Sequence, residues 1–144
     1  MINNRLAGKW KGEFVYGPEY GKIEGEKATF MLFVEKEDEN GFEGKAFDIE
    51  GIGVNDQAAS VKGFFADGMM SFIKQYPPTQ IFQEDGTLQT FYRPSPEIHY
   101  TGEYIQATGM FKGNWETTWG EVRDGDEYLE YLCTGTWQMI RETD

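Results

Sequence analysis

From Gly8 to Tyr16 the chain alternates. Trp10, Gly12, Phe14 and Tyr16 fall on one side, and Lys9, Lys11 and Glu13 on the other. A period of two is the mark of a strand with one buried face. The same alternation predicts further strands over 27–36, 42–50, 57–66, 69–76, 97–105, 109–119 and 128–142. Asn40-Gly41 and Asp67-Gly68 read as tight hairpin turns, because both dipeptides tolerate a left-handed backbone. Pro77-Pro78 ends the fifth strand, since proline donates nothing to a ladder. The stretch from Pro77 to Pro96 is the least regular, and predicts either an extra short strand at Thr87 to Tyr92 or a long loop across a barrel mouth. Gly120 to Glu127 reads as an acidic turn region. The connection from Gly17 to Glu26 is too short for a pair of helices, and no amphipathic helix of normal length is legible anywhere.

Within those strands one pattern recurs six times: a large residue, any residue, glycine, then usually another large residue two further on. It is carried by Trp10-x-Gly12-x-Phe14, Phe42-x-Gly44-x-Ala46, Val61-x-Gly63-x-Phe65, Tyr100-x-Gly102-x-Tyr104, Phe111-x-Gly113-x-Trp115 and Cys133-x-Gly135-x-Trp137. Residues two apart on a strand share a face. Glycine inside a strand is normally unfavourable, so six at like positions need a reason. A small closed barrel supplies one, because its strands must coil tightly and an inward glycine removes the side chain that would clash. Eight strands with short connections predict an up-and-down antiparallel barrel, an even number letting the last strand pair antiparallel with the first. The alternative is a two-sheet sandwich in which glycines mark bulges and edges.

Size and charge narrow the picture. A chain of 144 residues predicts one domain, 1–144. Thirteen basic against 25 acidic residues give a net charge of −12. Nucleic acid and an anionic membrane surface are excluded as partners on that balance, since both need a basic face. Cys133 is the single cysteine, so no internal disulfide forms. Its inward phase predicts a buried, inert thiol, which fits a reducing compartment. The first residues lack the apolar stretch of a signal peptide, and no run is long enough to span a membrane. The expected location is cytoplasmic.

The candidate chemistry lies on the inward face. Phe72, Lys74 and Tyr76 share one face of the fifth strand, and Asp48 shares its phase with Phe42, Gly44 and Ala46. A Lys74–Asp48 pair inside the barrel either serves structure or polarises a ligand carbonyl. The competing placement for Lys74 is an ammonium that reaches back to solvent on its flexible stem. Tyr16, Phe65, Tyr76, Tyr104, Trp115, Trp119 and Trp137 are also inward by phase. They either pack the core or line a lumen that the glycines leave open. His99 is out of phase with Tyr100 and Gly102, which places it outside, and one histidine without a second nitrogen or sulfur ligand makes no zinc site. The acidic runs Glu35–Glu39 and Glu121–Glu127 lack the alternating oxygen register of a calcium loop. No nucleophile elbow, phosphate loop or zinc-protease helix is present. No metal and no cofactor are expected.

Gly8-Lys9-Trp10 near the start, and Gly135-Thr136-Trp137 with Arg141 in the last strand, resemble the calycin superfamily of avidin-like, lipocalin and fatty-acid-binding barrels. In lipocalins a Gly-x-Trp in the first strand is covered by an arginine from the last. The resemblance therefore implies that Trp10 and Arg141 close one barrel end. The Thr-Asp-Tyr-type turn motif of lipocalins is absent, as are the two helices that fatty-acid-binding proteins insert after the first strand. The helix-free layout is most similar to avidin. Where avidin-like barrels place an asparagine, two residues after the first-strand tryptophan, this chain has Gly12, so the resemblance does not imply biotin.

These readings converge on a non-catalytic barrel that holds a small apolar or aromatic molecule, lined or oriented by Tyr16, Asp48, Lys74, Tyr76, Tyr104 and Trp115. Two alternatives stay open. One is a packed barrel that self-associates or binds a protein partner through the apolar outer positions Met31, Phe33, Phe47, Ile49 and Phe64. The other is a barrel enzyme of isomerase or lyase type that uses Asp48 and Lys74 as acid and base, and so needs a perturbed pKa on one of them.

Overall fold

A computed structural model describes residues 6–51, 57–77, 79–82, 88–91, 97–123 and 127–142; of these, side chains are described outside 79–82, 88–91, 119–123 and 127–131. Ten strands follow one another: β1 (Gly8–Tyr16), β2 (Lys27–Asp38), β3 (Gly41–Gly51), β4 (Ala59–Ala66), β5 (Met69–Gln75), β6 (Thr79–Phe82), β7 (Leu88–Phe91), β8 (Ile98–Ile105), β9 (Met110–Arg123) and β10 (Glu127–Arg141). Eight of them close into an antiparallel barrel in the order β1-β10-β9-β8-β5-β4-β3-β2, while β6 and β7 pair only with each other. Closure runs through seven β1–β10 pairs, from Trp10 opposite Arg141 to Tyr16 opposite Gly135. The sandwich alternative is therefore excluded. Neither sheet edge of the meander is left open, which removes the aggregation hazard of unpaired strands.

The alternation sets the interior. Trp10 and Phe14, Ala28 to Val34 at every second residue, Phe42 and Ala46, Met70 and Phe72, and Trp137 and Met139 are all buried. The six repeated glycines do not hold space open. A side-chain carbon at Gly44 would strike the Phe33 carbonyl, one at Gly113 the Thr101 carbonyl, and one at Gly135 the Val15 carbonyl and the Trp115 ring. The ring of Trp137 similarly occupies the hollow at Gly102. These glycines let neighbouring strands approach and seat aromatic rings, which is the use of glycine that strong coiling demands.

Two segments depart from the alternation-based reading. Within the stretch expected as an acidic turn, Gly120 to Glu127, residues 120–123 and Glu127 are strand: β9 continues to Arg123 and β10 begins at Glu127, paired from Leu132–Thr118 to Glu127–Arg123, and 124–126 lie outside the described residues. β8 stops pairing at Thr117 and β1 at Gly135, so this ribbon extends past both neighbours. Its acidic residues do not prevent this, because ladder bonds join backbone groups whatever the side chain. Between Pro77 and Pro96, where one extra strand or a loop was expected, a two-stranded hairpin forms from β6 and β7. The turn expectations hold. Asn40 donates its backbone N–H to Asp38 Oδ1 at 2.7 Å, and Asp67 and Gly68 both adopt positive φ, 55° and 80°.

The two ends of the barrel differ in their connections. At one end β2–β3, β4–β5 and β8–β9 turn within a few residues. From the other end leave the short 3-10 segment Pro18–Ile23, the β3–β4 connection, the excursion through β6 and β7, and the β9–β10 ribbon.

Candidate functional site

The tight-turn end is sealed by apolar groups. Leu6 is buried and accepts the Trp10 indole N–H on its carbonyl at 2.8 Å. The Arg141 guanidinium lies 4.5 Å from the Trp10 ring centroid and donates to the Ala7 carbonyl at 2.9 Å. Glu37 Oε1 holds the backbone N–H groups of Leu6 and Ala7 at 2.7 and 3.1 Å. Below this cover Trp10 meets Phe111 edge-on. The chemistry at this end is packing, with the Arg141 cation held against the Trp10 face.

The other end carries charge inside. Met70, Phe72 and Lys74 alternate inward on β5, and Lys74 is 2% exposed. The ammonium does not reach back to solvent. On the facing wall a β-bulge at Thr29/Phe30 sets Asp48 opposite Phe30, and the Asp48 side chain is fully covered. Lys74 Nζ stands 3.6 Å from Asp48 Oδ1. The Tyr76 hydroxyl donates to the same carboxylate, 2.9 Å from Oδ1 and 2.8 Å from Oδ2. Among the described residues four rings surround the ammonium, with Phe14, Tyr76, Phe30 and Tyr100 centroids at 4.7, 4.9, 5.2 and 5.5 Å. Negative ring faces attract a cation most strongly where water is excluded. Tyr100 in turn stacks on Phe72, centroids 4.7 Å apart.

Electrostatics follow from burial. Loss of water pushes the Lys74 pKa below its ordinary 10.5, and the Asp48 charge offsets that only in part. The same loss pushes the hydroxyls of Tyr16, Tyr76 and Tyr100 above their ordinary 10.0, and Asp48 adds repulsion against each phenolate. Tyr20 is raised as well, first by burial and then by Cys133.

Five of the six sequence-predicted ligand residues gather here. Asp48, Lys74 and Tyr76 are in direct contact. Tyr16 and Trp115 form the adjoining wall, with ring centroids 6.3 Å apart and edge-on. The Trp115 indole N–H donates to the Thr136 carbonyl at 3.1 Å. Tyr104 does not join them. It has the inward phase, but it pairs with Phe111 at the tight-turn end, where it is 41% exposed. Strand phase fixes a face and leaves the height along the barrel open, which is why Tyr104 was grouped with residues at the opposite end. Of the other inward aromatics, Trp137 is buried and Phe65 is partly buried against Phe111. The side chain of Trp119 lies outside the described residues.

Four members of the cluster were missed as site residues. Phe14, Phe30 and Tyr100 lie on inward strand positions, where phase alone does not separate a site residue from core. Tyr20 sits in the 3-10 segment, where no periodicity marks it, and packs on Tyr16 and Trp115 at 4.7 and 5.9 Å. The segment is anchored to the barrel by Gly17, whose N–H donates to the Thr134 carbonyl at 2.9 Å, and by Glu19, which accepts from the Thr134 hydroxyl at 2.8 Å.

Outside the barrel, His99 is exposed and 3.9 Å from Glu97. It lines an open groove of about 630 Å³ with Thr101, Asn114, Glu116 and Thr136, on the outer face of β8, β9 and β10. Cys133 is buried and forms no disulfide. Among the described residues no three His, Cys, Asp or Glu side chains converge as a metal site would require, and no helix is long and apolar enough to cross a membrane. No protein-family model matches the chain, and neither the curated proteins nor the solved structures yield a match.

Proposed function

We propose that the chain is a calycin-like barrel that holds a small, largely apolar or aromatic molecule at the Lys74 end, without catalysing its conversion. The observation that carries this reading is the concentration of one lysine, one carboxylate and several tyrosines inside one end of an otherwise apolar barrel. Burying a charge pair costs several kcal/mol per ion before the mutual attraction repays it, so a barrel that needed only a core gains little from one. Apolar walls with a few convergent polar groups are the usual makeup of a small-molecule site. Tyr16, Asp48, Lys74, Tyr76 and Trp115 orient the ligand in this reading, and Tyr104 takes no part. A buried cysteine outside any disulfide suits the cytoplasm, where we place the protein.

Native mass spectrometry of freshly purified protein tests the proposal. The expected spectrum has a second species, heavier by a co-purified molecule that organic extraction removes. A single bare mass, together with no change in tryptophan emission on adding small aromatic compounds, overturns it.

The outer surface supports a second reading. Met110, Ile140, Lys11, Met31 and Phe47 lie in one register row across β9, β10, β1, β2 and β3. Ile140 and Phe47 are exposed, and Phe33 packs edge-on against Phe47 beside them. Ile49 and Phe64 are exposed on neighbouring strands. Apolar rows of this kind mark contact surfaces. Sedimentation at rising concentration tests self-association, and a constant monomer mass rejects it.

A further inference from the structure

We propose that Lys74 captures uncharged aromatic aldehydes covalently, its amine condensing with the carbonyl to an imine inside the barrel. The inference rests on the reading of this end as a small-molecule site. It goes further in naming the ligand class and the bond.

Lys74 is one of nine lysines, and the other eight differ from it in kind. Its amine is held in place by Asp48 on one side and four rings around it. It is the next-to-last residue of β5, so it stands at the rim from which the longer connections leave. An amine deprived of water has more of its neutral, nucleophilic form at neutral pH than one in bulk solvent.

The chemistry balances without oxidant or reductant. The Lys74 nitrogen forms a C–N bond to the carbonyl carbon while the carbonyl oxygen takes up a proton. The nitrogen's surplus proton passes to the Asp48 carboxylate, 3.6 Å away. The Tyr76 hydroxyl, hydrogen-bonded to both Asp48 oxygens, relays a proton to the departing hydroxyl, which leaves as water. One neutral amine, one aldehyde and one proton, taken up from solvent at the carbonyl oxygen, become one protonated imine and one water.

The surroundings suit the product. A protonated imine keeps positive charge where the ammonium had it, so Asp48 and the four rings still face a cation. An aromatic substituent adds a fifth ring to a cluster already built by edge and stacked contacts. Anionic carbonyl compounds are disfavoured because Asp48 already supplies the one counter-charge the site needs.

The test uses the full chain with benzaldehyde and cyanoborohydride at pH 7, followed by peptide mapping. Reduction turns each imine into a stable benzylamine. The expected result is labelling of Lys74 well above the mean of the other eight lysines, because a desolvated amine is neutral more of the time than an exposed one. In urea that preference should vanish. In the Lys74→Arg variant the native-state adduct should disappear with no rise elsewhere. Native labelling of Lys74 at or below the mean, with normal labelling in urea, overturns the inference. Benzyl alcohol separates the two levels of the argument. If it shifts tryptophan emission while Lys74 stays unlabelled, the binding reading stands and the imine falls. If it neither binds nor Lys74 reacts, both fall.

Discussion

The two ends of this barrel are built from the same strands and solve opposite problems. At the tight-turn end Trp10, Phe42, Phe111 and Met139 fill the interior, and the Arg141 cation stays outside on the Trp10 face. At the other end the cation is inside, and Asp48, Tyr76 and four rings are arranged around it. An apolar end needs volume and little else, because dispersion and the hydrophobic effect are not directional. A buried ion pair needs each partner at a set distance, since neither is solvated if the other is removed. The difference implies that the first end tolerates conservative change and the second does not.

Paired substitutions break the comparison most strongly. Asp48→Ala leaves the Lys74 ammonium buried without its carboxylate and should lower stability by about 3–5 kcal/mol, measured by urea unfolding. Phe111→Ala at the apolar end should cost a similar amount, about 3–5 kcal/mol, through a cavity alone. What separates them is rescue. Adding Lys74→Met to Asp48→Ala should restore most of the loss, because the orphaned charge leaves with the lysine. If the double variant is no more stable than Asp48→Ala, the ion pair is not what organises that end.

pH separates the ends next. Lys74 has a folded pKa below 10.5, so between that value and 10.5 the unfolded chain binds more protons and stability rises with pH. Tyr16, Tyr20, Tyr76 and Tyr100 have folded values above 10.0, so above pH 10 the unfolded chain loses protons that the folded one keeps, and stability falls. Stability should therefore climb toward pH 10 and drop steeply beyond it. Lys74→Met should abolish the climb and leave the drop. Phe111→Ala should shift the whole curve down and keep both limbs. A Lys74→Met curve parallel to the wild type across pH 8–10 would place the lysine's titration elsewhere.

How much of this the sequence carries depends on the kind of information. Strand phase is local, so β1 is legible to the residue and Asp48 and Lys74 are both correctly inward. The bulge at Thr29/Phe30 is not legible, yet it decides which β2 residue Asp48 faces. Height along the barrel is set by strand tilt and register, which no single strand encodes, and Tyr104 was misgrouped for that reason. The glycine repeat pointed to the right architecture and the wrong consequence. Gly135 looked like a source of lumen, whereas the Trp115 ring and the Val15 carbonyl occupy its hollow. Gly135→Ala should thus cost about 1–3 kcal/mol by overpacking, and should also shift tryptophan emission because Trp115 must move. An unchanged spectrum would mean the alanine is absorbed by the backbone.

Arg141 gives the smallest and most discriminating effect. Its guanidinium covers Trp10 from outside the core, so it keeps its water on one side, and an exposed cation on a ring face is worth about 0.5–1 kcal/mol. Arg141→Ala should cost about that, and Arg141→Lys should recover only part, since a flexible ammonium stacks less well than a planar guanidinium. Neither should alter the steep loss above pH 10, because the tyrosines behind it lie at the other end. Lys74→Arg makes the opposite test of the same idea: a planar guanidinium cannot keep the contacts that Asp48 and the rings make with a compact ammonium, so it should lower stability although its charge is unchanged. If both ends accept Lys and Arg equally, the groups at the Lys74 end are not fitted to an ammonium, and the contrast between a covered face and a fitted cluster disappears.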